Sequence, residues 1–571
     1  MRYTFFYLGF FFLPTFSLIA QKHDNIWMNG NYNNFYIDFT EFPPSIYPVN
    51  SQYFFARTMT FMSNAEGIPA FYSNGCTIQN AGHELLENGN LLLPSDYFCA
   101  SNDPTMNYSH GAGVTLPNFL PQQYIMFSIT QDLPLSPQPC TVSRLVAHHI
   151  DMTASQSQGE VIQKAQEILT GCFQEPTANR HANGRDWWIL MGDNQQGRFF
   201  RWLLTPQGLK GPWEQIIENP TVDGHWYCGW SEFSPDGKRY VIHGCRAAAL
   251  YDFDRCTGLL SHPLLINIHQ PTYNGGITFS PDNHLLYVVD KNNQELVQYN
   301  LEANDVDSSR ILLATWDGNI DSFNMPTAFG YIQDGPDEKL YVWGGTTMHL
   351  VDFPNRRGLA CHVRQRTIEL PGFCFGPSLY YPHYRLGPID GSSCDTLGID
   401  NHPAALFRYD LEDTLAPLQI TFTDVSSYLP TAWHWDFGDG TMSQDTNPLH
   451  TYAQSGAYQV CLIASNVYAA DTFCRQVVVG STSALHELPA LPQARVLPNP
   501  FSGELRVQLP ALVGVAPQFV LSDLYGRVVL RTALRDFETT LSLPGLPAGV
   551  YVWQLFWQGV QTQQGKVVRG E

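Results

Sequence analysis

Three short stretches of this chain repeat one another: Ser234-Pro235-Asp236-Gly237 before Arg239-Tyr240-Val241, Ser280-Pro281-Asp282-Asn283 before Leu286-Tyr287-Val288, and Gly335-Pro336-Asp337 before Leu340-Tyr341-Val342. Each reads as a tight turn entering a strand. Proline presets the first turn dihedral, aspartate bonds its own backbone, Gly or Asn accepts positive φ, and the β-branched and aromatic residues pack on a pleated face. The prolines stand 46 and 55 residues apart, close to one four-stranded propeller blade and too long for a hairpin repeat. Sheets of that size bury their faces against their neighbours, and a closed ring leaves few open strand edges. Residues 59–78, 114–152 and 187–206 read as further blades with degenerate turns. A seventh combines residues 375–384 with an amino-terminal strand near 26–39, because pairing the two ends prevents fraying. The expectation is an all-β chain whose residues 21–390 close into a seven-bladed ring, with six or eight blades as alternatives.

The chain's 571 residues exceed what one core organises, so further domains are expected. Aromatic residues make up 13% of the chain and charged residues 15%, a balance that favours strands and turns over long helices. Acidic residues outnumber basic ones by 52 to 31, for a net charge of −21. That sign repels phosphate backbones, so nucleic acid is excluded as an expected partner. Arg2 precedes an uncharged apolar run over residues 5–19, with Ala20 before the polar Gln21-Lys22-His23-Asp24. This is the layout of a cleaved signal peptide over residues 1–20, and no later stretch reads as a membrane span. The 12 cysteines include no CxxC pair and would enter an oxidising compartment, which favours disulfides over metal ligation. Cys228 and Cys245 are equidistant from the midpoint of Asp236-Gly237, so a regular hairpin sets them opposite each other.

Residues 391–403 are small, polar and turn-rich, and read as a linker into a domain over 404–480. Short alternating strands there, with Ile420, Phe422, Trp433, Trp435, Phe437, Tyr458, Val460 and Leu462, describe a sandwich. Its sharpest feature is Trp435-Asp436-Phe437-Gly438-Asp439-Gly440, two aromatics on one face followed by a glycine turn. With Asn447-Pro448, His450-Thr451-Tyr452, Gly456-Ala457-Tyr458 and Asn466, this segment resembles a PKD domain. The resemblance implies an Ig-like fold of extracellular proteins, spacing or presenting other domains and in some cases touching proteins or glycans. Asp436 and Asp439 could suit calcium. The competing reading is that each bonds its own turn backbone, so no metal or cofactor is assigned. Cys461 and Cys474 lie symmetrically about Val467-Tyr468, again opposite each other if that loop is a regular hairpin.

A second linker, 481–494, precedes a module over 495–571. It carries Leu497-Pro498-Asn499-Pro500-Phe501, then Asp523-Leu524-Tyr525-Gly526-Arg527-Val528, then Leu546-Pro547-Ala548-Gly549-Val550-Tyr551, and a last strand with Lys566-Val567-Val568. Tyr551, Trp553, Leu555 and Trp557 share one strand face, which argues for a small packed sandwich. The order of motifs resembles the type A sorting domain of the type IX secretion system of Bacteroidetes-type bacteria. That resemblance implies the export machinery as a partner and delivery outside the cell through the periplasm. The ring, through Arg180-His181-Ala182-Asn183-Gly184-Arg185-Asp186-Trp187-Trp188 and Glu232-Phe233-Ser234-Pro235-Asp236-Gly237, more loosely resembles the WD40-like rings that precede such domains.

No local catalytic motif is present: no G-x-S-x-G elbow, no H-E-x-x-H, no phosphate-cradling glycine loop. Propeller sites assemble from separate blades, so chemistry at the channel mouth stays open. His181, Asn183, Arg185 and Asp186 are the ligand-binding candidates, against the alternative of a hydrogen-bonded loop fastening blades. His148, His149 and Asp151 suggest a metal, but successive strand residues point to opposite faces. Trp226, Tyr227 and Trp230 could form a sugar platform or simply a blade core. The leading expectation is a binding or adhesion protein for an extracellular glycan or protein, with no catalytic residue assigned. The alternative is a secreted hydrolase or lyase with carboxylates converging from separate blades.

Overall fold

The computed structural model describes residues 22–570 apart from 31–32, 41, 50, 52–59, 94–98, 100–112, 132–142, 172, 174, 194–196, 219–229, 245–246, 269–274, 322–323, 375–380, 412–417, 481–494, 498–500, 509–517, 524–526, 535–537 and 558–559. The expected signal peptide, the 481–494 linker, Trp226, Tyr227 and the Cys228–Cys245 pair lie outside the described residues.

Seven antiparallel meanders follow one another along the first two thirds of the chain. Blade one comprises Ile26–Asn29, Phe35–Asp38 and Ser45–Pro48, and blade two Thr60–Ser63, Pro69–Ser73 and Ile78–Asn80. Blade three runs through Val114–Pro117, Gln123–Gln131, Ser143–Asp151 and Glu160–Gly171, and blade four through Thr177–Arg180, Trp187–Gly192, Arg198–Thr205 and Gly208–Ile216. Blade five has Trp230–Phe233, Arg239–His243, Ala247–Asp254 and Leu259–Asn267. Blade six has Ile277–Phe279, Leu285–Asp290, Glu295–Asn300 and Ile311–Thr315, and blade seven Ile332–Asp334, Leu340–Trp343, Gly345–Val351 and Val363–Cys374.

Apolar clusters join each blade to the next. Phe71, Phe127 and Trp187 link blades two to four, Phe199 and Tyr240 blades four and five, Val241 and Ile277 five and six, and Tyr287 and Val342 six and seven. Trp343 of blade seven then meets Phe35 of blade one and Phe61 of blade two in a single cluster. The last blade therefore packs on the first, and the meanders form a seven-bladed propeller. The unit boundaries differ from the expectation: blade two runs to Asn80, blade three extends to Gly171, and blade four starts at Thr177 and ends at Ile216. Of the expected unit pairing 375–384 with the amino-terminal strand, residues 375–380 lie outside the described residues, 381–384 form no strand, and Ile26–Asn29 pairs with Phe35–Asp38. The strands beyond the expected limits carry little alternation: Gly208–Ile216 is exposed at nearly every residue, and Glu160–Gly171 is largely polar.

The recurrent turns have the expected chemistry. Ser234 Oγ donates to the Asp236 carboxylate (2.6 Å), which accepts the Lys238 N–H (3.0 Å), and Gly237 N–H closes on Ser234 O (2.7 Å). Ser280, Asp282 and Asn283 repeat the pattern. The turns also hold their neighbours: Asn179 Nδ2 donates to Gly237 O (2.8 Å), and Asp236 N–H to Asn283 Oδ1 (3.1 Å).

Beyond the ring, Phe407–Leu411, Gln419–Asp424 and Leu449–Thr451 form one sheet, and Met442–Ser443, Ala432–Asp436, Gly456–Ser465 and Ala470–Val479 the other. Phe407, Phe422, Trp435, Phe437, Val460 and Leu462 fill the space between them. Cys461 and Cys474 face each other across the last hairpin and are bonded. The carboxy-terminal residues make a second two-sheet sandwich around Leu505, Phe519, Leu521, Tyr551, Trp553 and Leu555. Replacing Cys461 and Cys474 by Ala should lower the stability of residues 404–480 by about 3 kcal/mol, the loop-closure term for so short a loop. The urea midpoint read from tryptophan fluorescence checks this, and an unchanged midpoint would contradict it.

Candidate functional site

The site grows from the way the chain leaves the ring. Tyr381 donates its hydroxyl to Ile26 O of blade one (3.3 Å) and stacks on Trp27. Tyr384 donates to Thr115 O of blade three (2.7 Å), while Arg180 of blade four donates to Tyr384 O (3.0 Å). His383 Nε2 lies 3.1 Å from Phe233 O of blade five, and its Nδ1 lies 3.9 Å from the Asp334 carboxylate of blade seven. Arg385 grips Asp24 with two bonds of 2.8 and 2.7 Å. Only a segment lying across the axis can touch five blades at once, so residues 381–385 strap the channel mouth on the face of the recurrent turns. Arg255, buried, then donates to Arg180 O (2.9 Å) and Gly387 O (2.6 Å), and Cys256 is bonded to Cys394. The 391–403 segment is thus pinned to blade five.

The sandwich docks beside this strap. Lys339 of blade seven contacts both Asp352 (3.3 Å) and Asp410, and Arg408 pairs with Asp410 while donating to Asp352 O (3.1 Å). Arg364 holds the other edge of Asp352 with bonds of 2.6 and 2.8 Å. These charges are mostly buried, and such pairs hold only when every remaining lone pair and proton finds a partner. On the opposite flank Arg475 donates to Phe42 O (2.9 Å) and lies over Tyr409.

Between the turn face, the strap and the sandwich lies a cleft of about 640 Å³. Asp334, Glu338 and Asp424 line it, with Tyr381, Tyr428 and Trp433 among the rings. Burial raises the Glu338 carboxyl from 4.5 to about 8; Arg408 opposes the shift, and Asp424 and Asp337 add to it. Burial raises Asp334 and Asp424 as well, against His383 for the first and against bonds from Ser426 and Trp433 for the second. Glu338 has φ +58°, in the turn position that Gly237 and Asn283 hold at +69° and +67° in the sister turns. A glutamate in the left-handed region is uncommon and calls for a reason.

The ligand candidates lie elsewhere. His181, Asn183, Arg185 and Asp186 form the turn between the first two strands of blade four and bond mainly to one another. Asn183 Nδ2 donates to Asp186 (2.9 Å), Arg185 Nε to Asp186 (2.8 Å), and Asn183 N–H to His181 Nδ1 (3.0 Å). His181 Nε2 reaches Cys256 O at 3.1 Å, tying blade four to blade five. None of the four lines the large cleft. His148 is wholly buried, its Nδ1 accepting Ala165 N–H (3.2 Å), and burial lowers it to about 3. Asp436 accepts Gly438 N–H (2.9 Å), and Asp439 accepts Thr441 N–H (3.0 Å) and contacts His450 (2.8 Å). Among the described residues no group of His, Cys, Asp and Glu is arranged to hold a metal ion. Residues 381–384, expected within a closing strand, form this strap, and Glu338 was not singled out, although the glutamate where its sister turns have Gly or Asn was visible.

The PKD domain family matches residues 405–479. Those residues are a PKD domain. Among solved structures, the PKD1 domain of Vibrio anguillarum Epp is 26% identical, with 14% of this chain and 95% of that one covered and a TM-score of 0.13. The Pseudomonas aeruginosa periplasmic gluconolactonase PpgL is 13% identical over 48% of this chain and 74% of that one, TM-score 0.30. A putative 6-phosphogluconolactonase of Bacteroides uniformis is 11% identical over 80% and 97%, TM-score 0.30. No curated protein matches the chain.

Because folded Glu338 holds its proton more tightly than the unfolded chain does, the stability linked to it is complete below pH 4.5 and is lost as the pH rises through about 8. Glu338→Gln should flatten that loss. Urea midpoints of variant and parent should separate across this window, in the variant's favour above it, and a constant offset at all pH values would contradict the assignment.

Proposed function

We propose that this chain is a binding protein displayed outside the cell, with the propeller as recognition platform, the PKD domain as presenting module and residues 495–571 as a type IX export signal. The observation that carries the reading is the union of ring and PKD domain. The buried network of Lys339, Asp352, Arg364, Arg408 and Asp410, with the Cys256–Cys394 bond behind it, makes the spacer part of a continuous rigid surface. A rigid surface loses less conformational entropy on binding, which suits recognition. The disulfides suit an oxidising exterior, as does a PKD domain. Among the described residues no helix is long and apolar enough to cross a membrane. Phe501, Leu505, Phe519, Tyr551 and Val567 belong to a separately packed core, which suits a removable signal.

A second reading, a secreted hydrolase or lyase acting on polysaccharide or peptide, has its own support: His383 and Asp334 approach to 3.9 Å at the strapped mouth, beside a carboxyl raised to about 8. That is the kind of acid and base pairing such chemistry needs. Against it, His383 Nε2 is already engaged by Phe233 O.

A glycan array probed with the full chain, with reducing-sugar release assayed in parallel, separates the two. The binding reading expects retention on the array without release. Release that Glu338→Gln abolishes would overturn it in favour of hydrolysis. Deleting residues 495–571 in a type IX-competent bacterium should leave the product in the periplasm; unimpaired secretion would remove the export assignment.

A further inference from the structure

We propose that the cleft between the turn face of the ring and the PKD domain binds a short neutral oligosaccharide; this rests on the recognition reading and names its site. The volume of about 640 Å³ falls within the range of small-ligand sites. Its walls offer hydrogen-bonding groups of both kinds beside flat apolar faces. Trp27 is 1% exposed and lines the cleft, and among the described residues its indole N–H has no acceptor. A buried donor of this kind has given up its bond to water, a cost that a new acceptor would relieve. Across from acceptor need stands donor need: among the described residues the Glu338 carboxyl has no hydrogen-bond or ion-pair partner. Kept largely protonated at neutral pH, it can donate and accept, which matches a hydroxyl better than an ion. Tyr381 and Trp433 supply the rings on which the apolar face of a sugar rests.

Other ligand classes fit less well. Asp334 and Asp424 oppose an anion, while Lys238, Arg255 and Arg385 on the same walls oppose a cation. No metal-holding group is present among the described residues. A neutral polyol satisfies both signs at once. The left-handed backbone of Glu338 adds that this side chain is kept where Gly or Asn would be relaxed.

The test titrates the full chain with cellotriose, maltotriose and chitotriose, following tryptophan fluorescence and heat, with trilysine and tripolyphosphate as charged probes. At least one trisaccharide should bind and both charged probes should not. Glu338→Ala should weaken that binding about tenfold, the effect of losing one strong hydrogen bond. Ser427→Trp, which fills the cleft from the PKD side, should abolish it; melting curves establish that each variant is folded, and either variant alone suffices if the other is not. Trisaccharide binding untouched by both variants would overturn the cleft assignment and leave the recognition reading standing. Trilysine binding in place of the sugars would overturn the ligand class. No binding by any trisaccharide overturns the proposal, and a blank glycan array as well would take the recognition reading with it.

Discussion

The ring depends on one short crossing. A propeller built from meanders is held by face-to-face packing, and its weakest seam is where the last blade must find the first. Here that seam is closed twice over. Trp343 and Phe35 share a core across it, and the strap bonds to the first blade through Tyr381 and Arg385 while Tyr384 and His383 hold blades three, five and seven and the Tyr384 carbonyl accepts Arg180 of blade four. Arg385 and Asp24 lie at opposite ends of the ring sequence, so their two bonds close the longest loop in the domain.

Strapping the mouth has a consequence for function. The channel cannot serve as a through-passage on this face, and polar groups that would otherwise look into it are spent on the crossing. Beside the strap lies the lateral cleft, whose walls include Ser427, Tyr428 and Trp433 of the docked PKD domain. The docking network is of a kind whose desolvation cost nearly cancels its attraction, so its value lies in fixing one orientation of sandwich against ring. Orientation is what a composite binding surface needs, and a flexible spacer would not preserve the cleft.

Much of this architecture was legible because it is written in local chemistry. The Pro-Asp turns, the alternating Trp435 and Phe437, and the symmetric Cys461 and Cys474 each constrain a few neighbouring residues, and the structure places them as turn, core and bonded pair. Outer blade strands were illegible for the opposite reason: Gly208–Ile216 faces solvent along nearly its whole length, so no apolar period marks it. The site was harder still. Glu338 and Trp27 are over 300 residues apart and come to line one cleft only in the folded ring, and no pattern in either neighbourhood announces the other. The His181 to Asp186 cluster was conspicuous in sequence because its polar residues satisfy one another locally, which is also why they hold two blades and do not line the large cleft.

The central claim is that the strap makes one cooperative ring of seven meanders. Native-state hydrogen exchange tests it most directly, through the opening free energies of the amides in Ile26–Asn29 and Leu340–Trp343. A ring closed as described predicts that these first and last blades exchange together, with the same opening free energy and the same denaturant dependence. Exchange of Ile26–Asn29 through a separate, lower-energy opening while Leu340–Trp343 stays protected would contradict it.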